Sequence, residues 1–100
     1  GGGVFHIILS DGIPCGYYSE EDFTEQIIPR ELVLLPEFQG KGIGTKILSE
    51  VIGRATSRNV PVKIRVLREN RALGIYRKLG FRDAGSDETH IELKFVPLNR

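Results

Sequence analysis

The run Gln39-Gly40-Lys41-Gly42-Ile43-Gly44-Thr45 holds the residue types best suited to chemistry. It follows the apolar stretch Leu32-Val33-Leu34-Leu35-Pro36 and opens an amphipathic segment from Lys46 to Ala55. A strand that ends in a glycine-rich turn and feeds a helix gathers backbone N–H groups and the positive helix end around one point. That geometry binds phosphate. Two familiar phosphate loops do not fit. A P-loop needs Gly, four residues, then Gly-Lys-Ser/Thr, whereas here Lys41 lies between glycines and Thr45 follows the last one. A dinucleotide loop needs G-x-G-x-x-G, but Gly40 and Gly42 lead to Thr45, and Gly42 and Gly44 lead to Ile47. It should also follow the first strand of a βαβ unit, and hairpin-like sequence comes first here.

The elements that must position this loop read as strands first, then alternation. Val4 to Leu9 is apolar and β-branched, and Ser10-Asp11-Gly12 is a hairpin turn signal. Ile13 to Ser19 returns antiparallel, and Glu20-Glu21-Asp22 reads as a solvated turn. Ile27 to Leu35 is the next strand. Its apolar end, Leu32 to Leu35, predicts a central position covered on both faces. Pro29 cannot donate to a ladder and belongs at a bulge or near the strand start. Ile43, Ile47, Leu48, Val51, Ile52 and Ala55 recur at helical spacing. A strand-like run, Val60 to Val66, comes next. Asn70 then caps a second helix with the stripe Ala72, Ile75, Tyr76 and Leu79, which Gly80 ends. Phe81 leads into a polar turn, and Ile91, Leu93 and Phe95 alternate with polar residues as a last strand.

Composition excludes several function classes. One hundred residues suit a single domain over 1–100, with 40% hydrophobic and 27% charged residues. Lys+Arg of 14 against Asp+Glu of 13 leaves +1, which advertises no nucleic-acid partner. The single Cys15 rules out an internal disulfide and fits a reducing compartment, the cytoplasm. No apolar run approaches a membrane span, and the start lacks a signal-peptide pattern. His6 and His90 have no third ligand in view, so no metal is expected.

The pattern Gln39-x-x-Gly42-x-Gly44 resembles the acetyl-CoA loop of the GCN5-related N-acetyltransferases, the GNAT family. Asn70-Arg-Ala72-Leu-Gly-Ile-Tyr76-Arg-Lys-Leu79-Gly80-Phe81 is similar in order and spacing to that family's N-x-x-A-x-x-x-Y-x-x-x-G-F segment. The resemblance covers roughly residues 4 to 96. It implies an α/β (α+β) fold: a mixed, mostly antiparallel sheet with a bulge or splay beside the cofactor loop and two helices packed on it.

The resemblance also implies a chemistry. Acetyl-CoA serves as co-substrate, without a metal, and the acceptor is a primary amine of a small molecule or peptide that attacks directly. Main-chain groups of Leu34 and Leu35 would pair with the pantetheine arm like an added strand. An N–H there would face the acetyl oxygen. The N–H groups of Gln39, Gly40, Lys41, Gly42, Ile43, Gly44 and Thr45 would hold the pyrophosphate, with glycine needed at 42 and 44 to avoid crowding. Asn70 would cap its helix and bond the pantetheine. Tyr76 would act as general acid toward the departing thiolate, since a phenol with a pKa near 10 keeps its proton at neutral pH. Glu31 would act as base, directly or through a water.

Plainer readings stand beside these. Tyr76 on an apolar stripe also reads as core, Glu31 as an ordinary strand carboxylate, and Cys15 as a small buried residue. A non-catalytic acyl-CoA-binding module would need neither Tyr76 nor Glu31. The family's first strand and first two helices have no counterpart ahead of Val4, which points to a fragment or a compact member. An exposed sheet edge would then suit a second copy of the chain, as a homodimer.

Overall fold

A computed structural model describes residues 2–98. Six strands form one sheet: β1 (Gly2–Ser10), β2 (Ile13–Asp22), β3 (Ile27–Leu34), β4 (Val62–Leu67), β5 (Arg82–Ser86) and β6 (His90–Phe95). Their spatial order is β1-β2-β3-β4-β6-β5. Helix α1 (Ile43–Arg58) connects β3 to β4, and α2 (Leu73–Lys78) connects β4 to β5. Every pairing is antiparallel except β3 with β4. The mixed, mostly antiparallel sheet with two helices is the architecture expected.

Local chemistry sets the first three strands. Asp11 and Gly12 both take positive φ (+50° and +79°), the backbone of a type I′ hairpin turn that matches the strand twist. The β2–β3 register shifts between Ser19 and Glu20, and Pro29 lies opposite Glu20 at that bulge. A residue without an N–H is tolerated there. β3 and β4 then pair only at Ile27 and Val62, with the Ile27 N–H donating to Pro61 O at 3.0 Å. Beyond this point the two strands part, and the sheet carries a splay beside the loop that follows β3.

Both helices lie on one face. Leu48, Val51 and Ala55 of α1 and Tyr76 of α2 share a single core with Val62, Ile64, Ile91 and Leu93 from the sheet. The intervening side chains Lys63, Arg65 and Glu92 are exposed on the other face. Coverage of β3 on both sides does not occur: Val33 and Leu35 are 44% and 46% exposed. Their apolar character comes from sitting in mid-sheet, on a face that no described helix covers.

Three further expectations need correction. Glu20-Glu21-Asp22 is the end of β2 and not a solvated turn, and Glu20 is 2% exposed. Its carboxylate accepts from the Tyr18 hydroxyl at 2.8 Å and pairs with the guanidinium of Arg54. Arg58, one helical turn on, bonds Asp22 at 2.7 Å. A carboxylate can be buried when paired in this way, so the acidic run is the seat of α1. Residues 82–86, read as a polar turn, form edge strand β5 with every side chain exposed. Backbone pairing with β6 makes it a strand, and no apolar alternation announces it. Finally, α2 begins at Leu73, after Asn70. The Asn70 Oδ1 accepts from the Ala72 N–H at 2.7 Å and caps the turn that leads into the helix. Gly80 (φ +103°) closes α2, with the Phe81 N–H donating to Tyr76 O at 3.0 Å.

Candidate active site

The end of β3 presents N–H groups that β2 does not pair: the ladder turns those of Leu32 and Leu34 away from it. Leu34 lies opposite Gly16, and the Leu35 N–H donates to Cys15 O at 2.8 Å. In an antiparallel ladder this is the pattern of a non-hydrogen-bonded pair, so the Leu34 N–H and C=O point away from β2. They face the splay, where β4 has diverged. The Leu34 carbonyl accepts from Gln39 Nε2 at 3.0 Å, which leaves its N–H free. Leu35, expected to share this duty, has its N–H turned to β2 and occupied. Gly16 permits the tight approach: a Cβ there would lie 2.0 Å from Val33 O.

The loop continues through a 3-10 turn, Pro36–Phe38, and the Gln39 N–H donates to Pro36 O at 3.2 Å. The donors left for a ligand therefore start at Gly40. Gly40 and Gly42 hold φ of +73° and +83°, which favours glycine on conformation alone. Gly44 lies within α1, and a Cβ there would meet Leu32 at 3.5 Å, ordinary contact. The conformational need for glycine thus falls on 40 and 42, not 44. The Lys46 N–H donates to Gly42 O at 3.0 Å as the first helical bond, so the N–H groups of Ile43, Gly44 and Thr45 have no helical acceptor. No side chain caps this end and its first turn holds no acidic residue. The positive end of the helix dipole is left open to an anion.

Tyr76 stands at the other side of the splay. It is 7% exposed and packs edge-on against Phe81 at 5.8 Å between ring centroids. Tyr76 and Glu31 line one narrow cleft of about 30 Å³, together with Tyr18, Leu32, Leu48 and Arg65. That volume admits a water or two. Among the described residues the Tyr76 hydroxyl has no hydrogen-bond partner, and it is not a fully buried polar atom. Burial pushes its pKa above the ordinary phenol value, because a phenolate would be poorly solvated there. Tyr76 therefore stays protonated past the ordinary phenol range. Glu31 of β3 accepts from the Tyr17 hydroxyl of β2 at 3.0 Å, an exposed contact across the two strands.

Sequence reasoning missed Tyr18 and Glu20. Burial and the Glu20 carboxylate push the Tyr18 phenol far above its ordinary value. It is a fixed donor that holds Glu20 and forms one wall of the cleft. A signal was present: Tyr18 and Glu20 alternate on one strand face, while Arg54 and Arg58 recur at one-turn spacing on α1. Lys41 is exposed at the rim of the loop. No group of His, Cys, Asp and Glu among the described residues could hold a metal ion, and no described helix is long and apolar enough to cross a membrane.

Residues 1–83 match the family described as "Acetyltransferase (GNAT) domain". The chain belongs to the GNAT acetyltransferase family. Solved structures of the same fold include the Escherichia coli ribosomal-protein-S18-alanine N-acetyltransferase, with a TM-score of 0.83 at 17% identity over 98% of this chain and 72% of that one. PaiA N-acetyltransferase from Thermoplasma acidophilum, solved with coenzyme A, gives a TM-score of 0.81 at 21% identity over 94% of this GNAT domain. A GNAT family acetyltransferase from Elizabethkingia anophelis with acetyl-CoA bound gives 0.79 at 19% identity, covering 94% of this chain and 76% of that one. The GNAT domain spans 60% of the length of the PaiA chain. No curated protein matches it in sequence.

Proposed function

We propose that this GNAT domain binds acetyl-CoA and transfers its acetyl group to a primary amine by direct attack. The observation that carries the reading is the splay. β3 and β4 share one paired position; Glu31, Leu32 and Tyr76 line the cleft beyond it, and the same end of β3 carries the Leu34 N–H and leads through the loop to the open α1 N-terminus. The donor set fits coenzyme A: N–H groups from Gly40 to Thr45 for the pyrophosphate, and the unpaired edge of β3 for an amide-bearing arm. Asn70 has its Oδ1 engaged by Ala72, which leaves its amide N–H groups for that arm.

Acetyl-CoA supplies an activated thioester. The protein's part is orientation and proton control. The Leu34 N–H faces the carbonyl oxygen as that atom gains negative charge, a fixed donor whose loss typically costs about 3–4 kcal/mol. Glu31, at the cleft wall, takes a proton from the incoming ammonium, directly or through a water. Tyr76 gives its proton to the departing thiolate sulfur. The acceptor is a small-molecule or peptidic amine, and the single free Cys15 and the acetyl-CoA requirement suit the cytoplasm. Calorimetry with acetyl-CoA, using ATP and NAD as controls, tests the binding. Gly42→Val should abolish it, because a β-branched residue is strained at φ +83° and its side chain would enter the phosphate space. Unchanged affinity in a folded Gly42→Val variant would remove the pyrophosphate assignment, and CoA release in an amine screen would separate an enzyme from a sensor.

A further inference from the structure

The helix-free face carries a hollow of about 600 Å³ beside the cleft, with Arg30 and Arg65 lining both. Its charged lining is mainly basic: Arg30, Lys63, Arg65 and Lys94 against one carboxylate, Glu92, which faces Arg65 across the strands. Lys63 of β4 lies directly opposite Lys94 of β6, and Lys94 lies directly opposite Arg82 of β5. Three positive side chains thus stand in one row across three adjacent strands. Like charges at facing positions are destabilising in a sheet. Among the described residues no carboxylate lies within ion-pair distance of Lys63, Lys94 or Arg82, although Arg30 and Arg65 are paired with Glu21 and Asp87. Lys94 is half-buried all the same. The chain as a whole is nearly neutral, at +1, so the row is a local arrangement and not the by-product of a basic protein. Lys63 and Lys94 line the hollow and Arg82 extends the row past its edge; cations without an ion-pair partner in such a place are complementary to an anion.

We propose that this row recognises acidic side chains of a peptidic acceptor, whose amine is then presented at the cleft. The inference rests on the acetyl-transfer reading and adds the substrate class. The reach is consistent. Lys63 is two residues along β4 from Arg65, a separation of roughly 7 Å. An extended peptide covers about 3.3–3.6 Å per residue, so acidic groups about two to four residues from the amine fall on the row. With adjacent strands about 4.8 Å apart, the row spans about 10 Å, wide enough to favour more than one carboxylate over a single amino acid.

The test uses labelled peptides that carry a free N-terminal amine and one lysine, with Glu, Gln or Lys at the neighbouring positions. Fluorescence anisotropy reads their binding to the acetyl-CoA-loaded chain, and thiol release reads turnover. The Glu peptide should bind about tenfold more tightly than the Gln peptide, a difference that added salt erodes. Lys63→Glu combined with Lys94→Glu should reverse the preference while acetyl-CoA affinity stays unchanged. The milder pair Lys63→Gln and Lys94→Gln, should the first destabilise the sheet, should level it. Equal affinity for the three peptides, a preference that survives charge reversal, or an oligonucleotide bound as tightly through the same lysines would overturn the proposal. Charge-dependent binding without thiol release would sustain the acidic specificity and sink the transfer reading. Turnover without charge preference would do the opposite.

Discussion

Tyr76→Phe separates a catalytic phenol from a core one. The ring fills the core beneath α2 and packs on Phe81, and both contributions survive in phenylalanine. The hydroxyl has no hydrogen-bond partner among the described residues, so its removal breaks no hydrogen bond among them. The expected change in unfolding free energy is within about 0.5 kcal/mol, the range of a substitution that disturbs no packing. The loss of a general acid, by contrast, should lower kcat about 100-fold, equivalent to about 2.7 kcal/mol of transition-state stabilisation. KM for acetyl-CoA should hardly move. Thiol release under saturating substrates gives the rate, and denaturant unfolding gives the stability. The pH profile adds a second readout. Because burial raises the Tyr76 pKa, the acid stays protonated to higher pH than a free phenol. The alkaline limb of kcat should therefore lie above pH ~10 in the parent and vanish in the variant. A kcat within about threefold of the parent, with the limb intact, would return Tyr76 to the core and refute the proton-transfer argument.

Other outcomes follow from the same geometry. Gly16→Ala should cost about 3 kcal/mol or more in thermal or chemical unfolding, since its Cβ meets the Val33 carbonyl at 2.0 Å and backbone must shift; a loss below about 0.5 kcal/mol would contradict the close approach. Arg54→Ala should destabilise by about 2–3 kcal/mol by stranding Glu20, which is 2% exposed; Arg54 is itself 45% exposed, which places the cost below that of a fully buried pair. Adding Glu20→Gln to that variant should recover part of the loss, and a strictly additive double variant would deny the coupling. Asp87 accepts from the His90 and Thr89 N–H groups and from Arg65, which hold its carboxyl well below the usual carboxylate range. Its folded pKa is depressed, so the contribution is present above the ordinary carboxylate value and is lost as pH falls below it. An NMR titration of Asp87 with an ordinary midpoint would sink that account.

Much of this site could be read from residue types because its requirements are local. A positive φ at Gly42, a helix that opens on an uncapped turn, and a Tyr set on an apolar stripe need only nearby residues. What could not be read depends on pairing between distant segments. Which of Leu34 and Leu35 offers a free N–H is decided by register with Gly16 and Cys15, and one residue's slip would exchange their roles. The burial of Glu20 depends on Arg54, thirty-four positions away. β5 has no apolar face at all, so only its partner β6 makes it a strand. Coverage of β3 was misjudged for a related reason: an apolar run reports a central place in the sheet, not how many layers lie on it.

The splay has a consequence for the protein's life without ligand. An ordinary sheet satisfies its interior amides with its own strands, whereas this one leaves part of β3 to be completed by whatever enters the gap. On the proposed binding mode the cofactor is the missing neighbour, so the fold and its substrate are thermodynamically coupled. At a ligand concentration 100 times its dissociation constant the folded state gains about 2.7 kcal/mol, a large fraction of the few kcal/mol by which a domain of this size is stable. The amides of Leu32 and Leu34 should then exchange with solvent at a rate set by acetyl-CoA supply. On that mode the unfolding midpoint should rise with acetyl-CoA concentration, which thermal unfolding at graded cofactor would read.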